Sequence, residues 1–165
     1  MSLILKLFLD ICLLRANAEN VPASRLLLIL SVTAYFLLSL GITFVEGNLS
    51  KIVAIIMVGF ILVIALAQAG LWIRSFMYRS VQTITALAGT GTIFCILTWP
   101  LVLLGEQWIV ARYLLLLIFV WDIVVVGHIL RNALSIPFWA GIGISIFYIF
   151  TYFRIIRVFF IAQAS

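Results

Sequence analysis

Residues 111–131 read ARYLLLLIFVWDIVVVGHILR, and this stretch decides the fold. As a helix rising ~1.5 Å per residue it spans roughly 30 Å, the hydrocarbon thickness of a bilayer. Arg112 and Tyr113 mark one end, His128 and Arg131 the other, and Asp122 falls between them. An acid at that depth costs ~2.5–3.5 kcal/mol on insertion scales, so it must face other helices or a wet cavity. Two roles compete for it. One is a hydrogen bond across helices that fixes packing, the commoner device; the other is proton or ion handling. His128 is six residues on and far round the helix, so the two do not read as a dyad.

Composition agrees with a chain built for lipid. Of 165 residues, 67% are hydrophobic and 9% charged. Mean hydropathy is +1.37. Soluble domains carry about 25% charged residues. The apolar runs are long and unbroken, which excludes the short alternating segments of a β-barrel. The expectation is an all-α, polytopic transmembrane bundle, one membrane domain over residues 1–165. The net charge of +5 is scattered over loops and helix ends, with no basic tract for nucleic acid. Cys12 and Cys95 are distant from each other and from the single histidine, so neither a disulfide framework nor a zinc site is read.

Working outward, five spans are predicted at about 26–45, 51–73, 81–104, 111–131 and 137–160. Residues 1–15 are apolar but carry Lys6 and Asp10 on one face, which predicts a helix lying in the interface. The A-x-A look of Ala16-Asn17-Ala18 raises a signal peptide. The absent positive n-region, the interrupted apolar run and Arg15 beside the cleavage point argue against one. Pro22 lies in the polar lead-in to the first span, and Gly47-Asn48 supplies turn chemistry after it. Ala65 and Ala69 are spaced for close helix contact.

The third span, VQTITALAGTGTIFCILTWPLVLL, is the least ordinary. Its threonines and glycines permit tight packing and offer hydrogen bonds in lipid. Pro100 removes one helix bond near the far end. A discontinuous helix lining a transport site is the functional alternative. In the fifth span Pro137 falls in the first turn, and Gly141 and Ser145 form a small-residue face continued by Tyr148 and Tyr152.

With the N-terminus cytoplasmic, Lys6, Arg15, Arg25, Arg74, Arg79 and Arg131 lie inside, and Lys51, Arg112, Arg154 and Arg157 outside. Six against four favours that orientation, in a bacterial inner membrane. Trp72, Trp108 and Trp139 fall near predicted interfaces, as an aromatic belt requires. Counting inward then predicts an intramembrane polar network. Tyr35, Thr92 and Tyr148 come near the level of Asp122, and Gln68 near His128.

No P-loop, GxGxxG, HExxH, CxxC or EF-hand spacing is present. Gly143-Ile144-Ser145 lacks the second glycine of a nucleophile elbow. No enzyme, cofactor or metal site is read. The layout resembles a bacterial member of the Yip family, five-helix membrane proteins whose eukaryotic members associate with Rab GTPases. Pro22 before the first span, RSVQTITALAGTG at 79–91, Pro100 and five closely spaced spans carry the resemblance. The family has no catalytic motif. The resemblance therefore implies a non-enzymatic scaffold, accessory subunit or partner-binding protein of a membrane complex, or a homo-oligomer. The alternative is a small transporter or channel subunit using Asp122 and His128.

Overall fold

The computed structural model describes residues 2–43, 49–104 and 108–161. Six α-helices follow one another: α1 (Ser2–Cys12), α2 (Arg25–Thr43), α3 (Leu49–Ile73), α4 (Ser80–Leu103), α5 (Ile109–Leu134) and α6 (Phe138–Ile156). A π-helical turn, Arg157–Ile161, continues α6. Among the described residues there is no strand. Four stretches are long and apolar enough to cross a membrane: Val53–Ile73, Met77–Leu103, Ile109–Leu134 and Phe138–Phe159. The apolar helix Arg25–Gly41 in α2 is shorter. The expected turns at Gly47-Asn48 and at 105–107 lie outside the described residues.

Three helices end alike. Leu14, Ser75 and Ser135 take left-handed φ of 60°, 59° and 52° after α1, α3 and α5. Each is followed by the paired bonds of a Schellman cap. After α5, the Ile136 amide donates to the Arg131 carbonyl at 3.0 Å and Ser135 to Asn132 at 3.4 Å. After α3, Phe76 donates to Leu71 at 2.8 Å and Ser75 to Trp72 at 3.1 Å. These caps satisfy carbonyls that the helix cannot, and each turns the chain at one end of the bundle. Arg74, Arg79 and Arg131 sit there, so we term it the arginine end. The α4–α5 connection lies at the other, the hairpin end.

α2 and α4 run parallel. Ser31 meets Thr92 and Ser39 meets Cys95, the second pair further along both helices. α5 and α6 run antiparallel, with Gly127 against Gly141 near the arginine end and Phe119 against Phe153 further along. Small residues set this last contact. A Cβ on Gly141 would run into the Gly127 carbonyl oxygen, and Ser145 is fully buried one turn on. The small-residue face at Gly141 and Ser145 is therefore a helix seam.

α4 is the central helix, touching α1, α2, α3 and α5. It is continuous through Pro100. Its threonines spend their hydroxyls locally. Thr83, Thr85, Thr90, Thr92 and Thr98 all donate to carbonyls three or four residues back in α4 itself. Thr92 alone also approaches another helix, at the Ser31 carbonyl, 3.5 Å away. The nearest acceptor to a helical hydroxyl is its own preceding turn, and it wins. The small residues of α3 are corrected too. Ala65 and Ala69 face outward, while Ala67 is buried and Gly70 receives Leu134. Phe60, Val63, Ala67 and Leu71, the larger apolar stripe at helical spacing, select the face.

α1 lies against the side of the bundle. Ile4 and Leu5 line a groove with α2 and α4, and Phe8 seats on Gly89. The Trp121 indole donates to the Cys12 carbonyl at 3.0 Å. Phe8, Ile11 and Cys12 are buried by this, and Lys6 is exposed.

Candidate functional site

The predicted polar residues separate into two regions. Asp122, midway along α5, faces a cavity of about 370 Å³ between α2, α4 and α5. Tyr35, Cys95 and Thr98 line the same cavity with Asp122. Tyr35 is brought there by space. A Cβ on Gly91 would stand 2.9 Å from its ring, so only glycine lets it lie on α4. Phe60 stacks on that ring at 5.2 Å between centroids, and Phe36 meets it edge-on at 5.7 Å. Ser39 Oγ and Cys95 Sγ pair at 3.4 Å.

Asp122 itself has no hydrogen bond and no ion pair among the described residues. The expected bond across helices is not made, because the neighbouring hydroxyls are otherwise engaged. Thr98 donates to Phe94 and Cys95 carbonyls at 3.0 and 3.1 Å. Among the described residues no Lys or Arg lines the cavity. The cavity reaches from Asp122 past Thr98 and Leu115 to Val102, that is, toward the hairpin end. On the other side of Asp122 the bundle is closed: Val125, Ile129 and Leu130 are 0–1% exposed.

Tyr148 stands within electrostatic reach of Tyr35 and Asp122, as the depth count expects, and its hydroxyl donates to the Gly59 carbonyl at 3.2 Å. Thr92 belongs to another face. It lines the groove under α1.

His128 and Gln68 lie in the arginine-end half. His128 is buried, with Nε2 3.1 Å from the Ala16 carbonyl oxygen and 3.0 Å from Asn132 Nδ2. Gln68 donates through Nε2 to Ser80 Oγ, tying α3 to the start of α4, and its Oε1 is buried without a partner among the described residues. No bond joins Gln68 to His128 among those residues. The two share an end of the molecule and no site.

The arginine end holds a network that residue spacing did not reveal. Arg79 pairs with Glu19, reaches the Asn132 carbonyl at 3.3 Å and lies over Phe76 at 4.8 Å. Arg74 donates to the Leu134 and Ser135 carbonyls at 3.2 and 3.1 Å. Gln82 donates to the Glu19 and Val21 carbonyls at 3.0 and 2.9 Å. Two loops and the N-terminal lead-in are thus tied together. The sequence signal was only a cluster of arginines near helix ends, where the capped carbonyls gather.

By composition and helix length this is an integral membrane protein of the all-α class, with four helices fit to span. The chain matches no family model, no curated protein and no solved structure.

Proposed function

We propose that the protein is a small transporter or channel subunit that takes a cation into the Asp122 cavity. The single observation behind this reading is a carboxyl midway along a spanning helix that faces a cavity with no partner among the described residues. An acid that merely fixed packing would be bonded to another helix. Left unpaired at that depth it is a standing cost of ~2.5–3.5 kcal/mol, offset when a cation arrives. The course of the cavity fits the same reading: it runs from Asp122 toward the hairpin end and is backed on the other side by buried Val125, Ile129 and Leu130.

In this reading α2 joins the four longer helices as a fifth crossing. Its 19 residues give roughly 28 Å of helix. The N-terminus is cytoplasmic in a bacterial inner membrane, by the bias of Lys and Arg. The arginine end then faces the cytoplasm and the cavity faces outward. α1 lies against the bundle at the middle depth of α4 and α5, with Cys12 at Trp121 and Ile4 in one groove with Ile93 and Ile96, and Lys6 is exposed there. The test is flux in proteoliposomes. Asp122→Asn should abolish pH- or cation-dependent flux while leaving the thermal midpoint unchanged or raised. Wild-type flux from the variant would remove the reading.

A second reading, the scaffold or accessory subunit that the Yip resemblance implies, is favoured by the arginine end. There Arg15, Arg25, Arg74 and Arg131 are exposed beside exposed Trp72, Tyr78 and Trp139. Native mass spectrometry after gentle extraction tests it. A stoichiometric protein partner supports it; a bare monomer or homo-oligomer weakens it.

A further inference from the structure

We propose that the Asp122 cavity selects a compact organic ammonium ion, an alkyl- or arylammonium, over a bare metal cation. This rests on the cation reading above and names the chemical class of the cation. Three rings line the cavity with the acid: Tyr35, Phe94 and Phe119. Two of the three are braced from behind. Tyr35 stacks on Phe60, and Phe119 meets Phe153 edge-on at 6.5 Å. Phe94 is only 7% exposed. These rings are held in place before any ligand arrives, which lowers the entropy lost on binding.

The coordination available argues against a metal. A hard cation asks for about six oxygen ligands. This lining offers one carboxylate and two hydroxyls, those of Tyr35 and Thr98, and the Thr98 proton is already committed to its own helix. Among the described residues no three His, Cys, Asp or Glu side chains converge. A substituted ammonium needs no such shell. Its charge is spread over carbon, its desolvation is modest, and it is attracted by ring faces as well as by a carboxylate. About 370 Å³ is the size of a small-ligand pocket, and an apolar wall with one or two oriented polar groups is the usual build of one. A phospholipid headgroup carries the same ammonium. Its phosphate, however, would find no basic side chain in this lining.

The probe is benzyltrimethylammonium, measured by equilibrium dialysis against the full chain in mild detergent. Neopentylbenzene, its uncharged isostere, and phosphocholine, its headgroup counterpart, are run beside it. Saturable binding is expected, at least about tenfold weaker in Asp122→Asn and retained in Asp122→Glu. Tyr35→Leu and Phe119→Leu should each weaken it about three- to tenfold. Equal binding by neopentylbenzene would overturn the proposal, because an uncharged guest would then do as well. Displacement by phosphocholine would assign the site to a lipid headgroup and overturn it too. Both comparisons use the wild-type chain, so they stand even if a variant fails to fold. If benzyltrimethylammonium does not bind but ²²Na⁺ or proton flux still depends on Asp122, the ammonium assignment falls and the cation reading survives. If neither is seen, both fall.

Discussion

The two halves of α4 carry similar chemistry and treat it in opposite ways. Toward the arginine end, Thr83, Thr85 and Thr90 are 0–1% exposed and bonded, Phe8 fills the space over Gly89, and α5 opposes them with fully buried Val125 and Ile129. Toward the hairpin end, Gly91, Cys95 and Thr98 line a cavity, and the facing residue of α5 is an acid with no partner among the described residues. Glycine marks the boundary on both sides. Gly89 is filled by a ring from α1, whereas beside Gly91 the ring of Tyr35 lies along a space that stays open. Saturated polar groups build the fold. Where saturation stops, the proposed binding role would begin, because an unmet charge at that depth is costly to keep without one.

The sharpest way to break this comparison is thiol chemistry at Cys12, which belongs to the closed half. Burial, with Asp122 adding in the same direction, pushes its thiol up to about 12. A raised thiol stays protonated at neutral pH, and its thiolate appears only as pH climbs toward 12. At pH 8, maleimide labelling of folded protein should run roughly 10³-fold slower than of the unfolded chain. Comparable rates would mean that α1 does not seal that side.

Next in size is the seam between α5 and α6. Gly141→Leu must push α6 away from the Gly127 carbonyl and should cost about 3 kcal/mol, read as a lower midpoint in detergent unfolding. Gly89→Ala should cost less, because it adds a single methyl group and meets a side chain, the Phe8 ring, where Gly141→Leu meets backbone. The reverse order would show that the α1 contact, and not the seam, holds the bundle.

Arg79→Ala should lower stability by about 2 kcal/mol, since it removes one of the two donors to the Asn132 carbonyl and the ion-pair partner of Glu19. Glu19→Gln should cost under about 1 kcal/mol. The Glu19 side chain is 42% exposed, and exposed pairs are screened. The smallest change is expected at the acid itself. Asp122→Asn removes a charge with no partner among the described residues, so its midpoint should stay level or rise. A loss above about 1 kcal/mol would return Asp122 to a packing role and erase the contrast between the halves.

Much of the architecture was legible from residue order. Four of the predicted spans appear as helices 49–73, 80–103, 109–134 and 138–156, within a few residues of expectation, because long apolar runs in lipid have no alternative to the helix. The small-residue face at Gly141 and Ser145 was also readable, since close backbone approach needs small side chains wherever it occurs. The predicted network was legible only in part. Tyr35 and Tyr148 come to the neighbourhood of Asp122, while Thr92 turns to the groove under α1 and His128 and Gln68 sit in the other half. Counting residues inward gives depth. It does not give the direction a side chain takes round its helix.

By itself the sequence determined that this chain is an all-helical membrane protein, because apolar content and run length fix how each segment meets a bilayer. Only the tertiary structure decided which polar groups are spent and which remain. The five α4 threonines found acceptors within their own helix, and the Asn132, Leu134 and Ser135 carbonyls found arginines that folding carried to them. Asp122 was left facing a cavity because, among the described residues, the hydroxyls that line it with the acid do not bond to it, a matter of rotation and register that no single helix encodes.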